Sequence, residues 1–125
     1  LRAIFLIFLA STFSSIASDT LLTVLLERPI IYINDKGELF SATYGQLSDK
    51  SLNFVKVSLP DGRKLTLPQV ISGSGARYTD DRTLVWWEHK GTVTIDIRDS
   101  EGKWETKYKD LIPVAKTKEN LTTSD

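Results

Sequence analysis

A chain of 125 residues with no cysteine and with 16 basic side chains balanced by 16 acidic ones makes one small domain held together by packing rather than by disulfides. The neutral balance excludes the basic surface on which nucleic-acid binders depend, so no nucleic-acid partner is expected. One histidine and no cysteine leave no ligand set for a metal, and no cofactor motif is present.

The chain opens with Arg2 near its start, an apolar run from Ala3 to Ala10, and small residues at Ser15-Ile16-Ala17. This pattern reads as a secretory signal peptide over 1–17, cleaved after Ala17, which places the mature protein in the periplasm or outside the cell. The rival reading is an uncleaved anchor reaching Leu26. It would put Asp19 in the bilayer at a cost of about 2.5–3.5 kcal/mol. Residues 18–28 then serve as a linker, 29–112 as the folded domain, and the polar, patternless 113–125 as a mobile tail.

Turn-forming clusters divide the domain at short intervals: Asn34-Asp35-Lys36-Gly37, 45–50, Pro60-Asp61-Gly62, 72–75, 79–82 and 99–102. Short apolar runs between them predict an all-β antiparallel domain. In Thr92-Val93-Thr94-Ile95-Asp96-Ile97-Arg98 the apolar residues fall on one face, and Lys64-Leu65-Thr66-Leu67 alternates likewise. The run from Leu52 to Leu59 changes phase at Phe54-Val55, which predicts a bulge there. Seven or eight strands between Pro29 and Leu111 are too many for a flat sheet with open edges, so closure into a barrel of about eight strands is expected. Phe54, Val57, Leu67, Trp86, Ile95 and Ile97 are the expected filling of its interior.

The segment Ser72 to Gly91, SGSGARYTDDRTLVWWEHKG, carries the functional signal. Ser74 lies between Gly73 and Gly75, where backbone can approach a partner closely; an ordinary turn is the plain alternative. Pairing of 76–80 with 83–89 through Asp80-Asp81-Arg82 would bring Ser74 and Lys90 to the same end of a hairpin. Trp86 and Trp87 must point to opposite faces of a regular strand, one to the core and one partly exposed. A catalytic triad could only be built from Ser74, His89 and Asp80, and no nucleophile elbow accompanies them. No enzymatic activity is expected.

Ser74-Gly75-Ala76-Arg77-Tyr78, followed by Trp86-Trp87 and Lys90-Gly91, resembles the MliC/PliC family of bacterial inhibitors of c-type lysozyme. Its hallmark is a Ser-Gly-x-x-Tyr loop and a strand ending in Trp, Lys and Gly. The resemblance implies an eight-stranded antiparallel barrel whose protein partner is c-type lysozyme. It assigns Ser74 and Lys90 to the enzyme's catalytic cleft, Gly73 and Gly75 to the loop backbone, Tyr78 to bracing the loop and Arg77 to the rim.

Three departures from the family pattern stand out. One residue more than usual separates Trp87 from Lys90, unless a bulge offsets the tryptophans, and this makes His89 the alternative occupant of the lysine's place. Thr92-Val93 replaces the usual acidic-alanine pair. The cysteine often found two residues after a tyrosine in the first strand is Asn34 here. Lack of any thiol also implies no lipid anchor. A homodimer is compatible with this reading. The alternative function is an exported small barrel that binds a small ligand in its interior, or peptidoglycan.

Overall fold

The computed structural model describes residues 21–115; the expected signal peptide, and the expected tail beyond residue 115, lie outside them. The described residues form nine strands: β1 (Val24–Leu26), β2 (Ile30–Ile33), β3 (Leu39–Leu47), β4 (Asn53–Ser58), β5 (Lys64–Val70), β6 (Ala76–Thr79), β7 (Leu84–His89), β8 (Thr92–Arg98) and β9 (Trp104–Pro113). Strands β2 to β9 close on themselves through the antiparallel pairs β2–β3 and β2–β9, making the expected eight-stranded barrel. β1 is an additional strand.

The expected turn clusters fall between strands, save Thr79 at the end of β6 and 45–50, whose Gly45, Gln46 and Leu47 are the end of β3, paired with β1, so that only 48–50 turn. In the β2–β3 turn the Asn34 side chain accepts from the Glu38 N–H at 2.9 Å, while Gly37 takes the left-handed conformation (φ 78°) that ends the turn. The β6–β7 loop is built on Asp80, whose Oδ1 accepts from the backbone N–H groups of Arg82, Thr83 and Leu84 at 2.9, 2.8 and 3.3 Å. Partial desolvation opposes ionisation of this carboxyl, but those bonds prevail and hold its pKa below the ordinary range. A folded pKa below the unfolded one gives stability that is complete above the unfolded value and is lost as pH falls through the folded one. Asp80→Ala should therefore lower stability at pH 7 by about 1 kcal/mol. In thermal melts the gap between variant and parent should narrow as the pH is taken below about 4.

The barrel is filled by its own side chains. Trp86, Leu67, Leu84, Val55, Val93, Ile95 and Leu111 are wholly buried, with Tyr32, Phe40, Ala42, Val57, Leu59 and Tyr78 completing one cluster. Val57, Leu67, Trp86 and Ile95 are in the interior as expected, and Ile97 packs against it. An interior ligand would have to displace this filling.

Phe54 is an exception. β4 pairs with β3 and β5 in unbroken register, so the expected bulge at Phe54-Val55 is absent. Val55 points inward and Phe54 outward, and both are buried because the outer face is covered too. Phe54 lies over Gly45, where an added Cβ would come within 2.6 Å of its ring and 2.8 Å of Leu26. Leu26 belongs to β1, which lies within the segment expected to be a linker. β1 pairs with Gly45–Leu47 of β3, beyond the stretch that β2 occupies.

The irregular register lies instead between β8 and β9, with shifts between Val93 and Ile95 and between Ile95 and Asp96. Both extra residues are on β9, and Asp110 in that stretch has φ 57°. Such bulges increase local twist and help a small sheet to close.

Candidate functional site

Strands β6 and β7 pair in regular antiparallel register, Ala76 with Glu88, Arg77 with Trp87, Tyr78 with Trp86 and Thr79 with Val85. The ladder ends at Ala76–Glu88, with Ser74 two residues before it and Lys90 two residues beyond it, so the sequence-predicted pair lies toward the same end of the hairpin. Asp80 is at the other end, holding the β6–β7 loop. Ser74, His89 and Asp80 therefore do not converge as a triad.

The loop before β6 is held by its backbone. The Ser74 carbonyl accepts from the Trp87 indole Nε1 at 3.0 Å and from the Ser72 hydroxyl at 2.6 Å. Ser74 is exposed, and its own hydroxyl has no hydrogen-bond partner among the described residues. A hydroxyl on a braced backbone, facing solvent, is available to a partner without first breaking an internal bond. Ser72 is thus one of the braces of the loop.

Gly75 is required by space as well as by φ (65°): a Cβ there would collide with the Glu88 carbonyl oxygen and lie 3.1 Å from both His89 Cβ and Trp87 Nε1. Gly75→Ala should displace the loop from β7 and release the Trp87–Ser74 bond. A fall in melting temperature of about 5–10 °C, corresponding to 1–2 kcal/mol, should accompany a change in Trp87 fluorescence. At Gly73 an added Cβ meets nothing within 4 Å, so its small size is not demanded by the chain's own packing.

The two tryptophans divide as alternation requires. Trp86 is wholly buried and donates from Nε1 to the Tyr44 hydroxyl at 3.0 Å. Trp87 faces outward beside exposed Arg77, its cross-strand neighbour. β7 keeps regular pairing with β8 up to His89–Thr92, so no bulge offsets the tryptophans. The residue two places after Trp87, on its face, is thus His89, whose ring stacks on the indole with centroids 5.0 Å apart and planes 22° apart.

Lys90 falls one step further, into the two-residue β7–β8 turn. There Lys90 (φ 52°) and Gly91 (φ 81°) are both left-handed, the signature of a type I′ hairpin. A left-handed lysine costs about 1–2 kcal/mol; the two-residue turn closed by the His89–Thr92 pair imposes it and sets this exposed residue at the tip. Thr92 fixes the turn by donating to the His89 carbonyl at 3.1 Å, and Val93 is core.

Tyr78 is placed differently from the loop brace expected of it. Paired with Trp86, it points inward, is 7% exposed, and sets its ring 5.6 Å from that of Tyr44. Burial first, then the neighbouring Tyr44 phenol and the carboxylates of Glu88 and Glu27, push its pKa up to about 12. The Tyr32 and Tyr44 hydroxyls are 3.1 Å apart, and burial raises both of their pKa values. These tyrosines, with Glu27, Ile30 and Glu88, line a barrel mouth of about 340 Å³. Nothing in the local sequence signals this grouping, because its members come from the β1–β2 connection, β2, β3, β6 and β7.

A family model described as membrane-bound lysozyme-inhibitor of c-type lysozyme, MliC, matches residues 32–104. This chain belongs to the MliC family. The matched MliC region begins in β2 and ends at the start of β9, and so contains the Ser74 loop, both tryptophans and the Lys90 turn. The family is one of inhibitors, and its description names c-type lysozyme as the partner. No curated protein and no solved structure matches the chain at a significant level. Among the described residues, no helix is long and apolar enough to cross a membrane, and no group of three or more His, Cys, Asp or Glu side chains could hold a metal ion.

Proposed function

We propose that this MliC chain inhibits c-type lysozyme by seating the Ser74 loop and Lys90 in the catalytic cleft, and so protects bacterial peptidoglycan. The observation that carries the reading is the pairing of a free Ser74 hydroxyl on a pinned backbone with a lysine strained into the turn at the same hairpin end. Lysozyme works with two cleft carboxyl groups, one protonated and one ionised. A hydroxyl can hydrogen-bond either, and an ammonium prefers the ionised one. Arg77 and the Trp87–His89 stack border this end on the outer face, where they provide a rim. Gly73 and Gly75 let the loop backbone come close.

The inhibitor reading also implies export, by the leader read at 1–17, to the compartment where lysozyme attacks. It requires no lipid anchor and no cofactor. Occupation of the cleft is tested by competition. A saturating N-acetylglucosamine trimer, used as a substrate analogue to occupy the cleft, should raise the apparent dissociation constant of the lysozyme complex in proportion to its concentration. A complex indifferent to the trimer would place the interface elsewhere on the enzyme.

A further inference from the structure

The barrel mouth offers chemistry that the Ser74–Lys90 contact does not use. Three tyrosines line its wall: Tyr44 meets Tyr78 with ring centroids 5.6 Å apart, and Tyr32 is backed by the buried Trp86 indole, edge-on at the same distance. Tyr32 and Tyr44 satisfy one another's hydroxyls, and Trp86 donates to Tyr44. The Tyr78 hydroxyl, on a residue more than nine-tenths buried, has no hydrogen-bond partner among the described residues, although Tyr78 lines the mouth. On the wall of the mouth it can take a hydrogen bond from a ligand without breaking one inside the protein.

Two carboxylates, Glu27 and Glu88, line the same opening. Glu88 follows Trp86 by two residues on β7, so it faces the barrel side of the strand while Trp87 and His89 face outward. Neither carboxylate is ion-paired: the one ion pair among the described residues is Arg63 with Asp61. Their charge reaches the tyrosines, since Glu88 opposes ionisation of Tyr32, Tyr44 and Tyr78 alike. Aromatic faces carry negative potential and attract cations. Rings, unpaired carboxylates and a spare hydroxyl acceptor around about 340 Å³ are together selective for a positively charged organic group.

We propose that this mouth receives a cationic side chain of the protein partner, an arginine in preference to a lysine, beside the Ser74–Lys90 contact. The planar guanidinium suits the site because it can stack on tyrosine while its N–H groups reach carboxylate and hydroxyl oxygens together. The assignment rests on the inhibitor reading for the identity of the partner, and on the mouth itself for the chemistry. Interlocking follows: the inhibitor's cation enters the enzyme's acidic cleft, and the enzyme's cation enters the inhibitor's acidic mouth.

The test has two arms. In the first, full-length inhibitor without lysozyme is titrated with Nα-acetyl-arginine amide and with its uncharged analogue Nα-acetyl-citrulline amide, following the Trp86 indole N–H and the tyrosine ring signals by NMR. Saturable binding of the arginine compound is expected, at least tenfold tighter than citrulline, and lost in Glu27→Gln/Glu88→Gln. In the second, that double variant should inhibit lysozyme at least tenfold less well than the parent at equal melting temperature, and Tyr78→Phe should inhibit about threefold less well. If the double variant fails to fold, Glu27→Gln alone serves in both arms. Equal responses to the two amides, or no response to either, would overturn the cation site. Arginine binding that needs the glutamates, together with unimpaired inhibition by the variant, would overturn the partner side chain as its occupant. A parent that binds arginine amide but inhibits no lysozyme would sink the inhibitor reading and leave the mouth as a cation site for some other ligand.

Discussion

Replacing Ser74 and Lys90 together by alanine should weaken inhibition of a c-type lysozyme by about a hundredfold or more while leaving the melting temperature within a degree or two of the parent. Lys90 is expected to supply the larger part, because a desolvated charge-assisted bond contributes about 1.5–3 kcal/mol. The Ser74 hydroxyl adds a neutral bond of about 0.5–1.5 kcal/mol. Their sum, near 3 kcal/mol, is about two powers of ten in affinity. The fold should be indifferent, since both residues are exposed and the Ser74 side chain bonds to nothing among the described residues. Alanine at position 90 keeps the Cβ and therefore the left-handed strain, whereas Lys90→Gly should relieve it and raise stability slightly while still losing inhibition. Opposite movement of stability and inhibition at one position would distinguish a contact residue from a structural one. Inhibition constants from cell-wall lysis, with thermal melts on the same samples, read both. A double alanine variant as potent as the parent would remove these residues from the interface.

The largest effect on stability is expected at Trp86. This side chain is wholly buried in the barrel, meets Tyr32 edge-on with planes 78° apart, and donates to the Tyr44 hydroxyl at 3.0 Å. Trp86→Ala leaves a cavity and takes one of the two hydrogen-bond partners of the Tyr44 hydroxyl, for about 3–5 kcal/mol. A domain of this size has about 5–15 kcal/mol in all, and this one has no disulfide to offset the loss. The melting temperature should fall by about 15–30 °C. Trp87→Ala removes only a half-buried outer residue and one bond to the Ser74 carbonyl; it should cost about 1 kcal/mol yet weaken inhibition by unpinning the loop. Melts that rank the two tryptophans the other way round would contradict the register of β7.

The two tryptophans also mark how far the sequence alone is legible. Opposite roles for adjacent tryptophans follow from strand alternation, and the barrel follows from turn clusters too frequent for helices and strands too many for an open sheet. The location of Lys90 was only half legible. Counting residues from Trp87 revealed an extra one, but not that β7 would stay regular and put the lysine in a type I′ turn with His89 on the tryptophan's face.

Phe54 misled because two adjacent buried residues read equally well as a bulge or as one strand covered on both faces. The cover, β1, comes from residues 24–26, which by composition merge with the apolar leader. The β9 bulges sit between Thr106 and Leu111, where Tyr108 and Leu111, three residues apart, both pack on the core; two apolar residues at an odd spacing among charged neighbours are a weak signal. The tyrosine mouth was illegible for a different reason. Tyr32 and Tyr44 lie on neighbouring strands, but Tyr78 comes from β6, and only the curling of the sheet into a barrel sets it against Tyr44 of β3.

The most direct measurement is lysis of bacterial cell walls by a c-type lysozyme while the folded chain is titrated in, with g-type and i-type lysozymes in parallel. Saturable inhibition at one inhibitor per enzyme, confined to the c-type enzyme, is the predicted result. Undiminished lysis by the c-type enzyme, from a sample whose melt shows the barrel intact, would contradict the account.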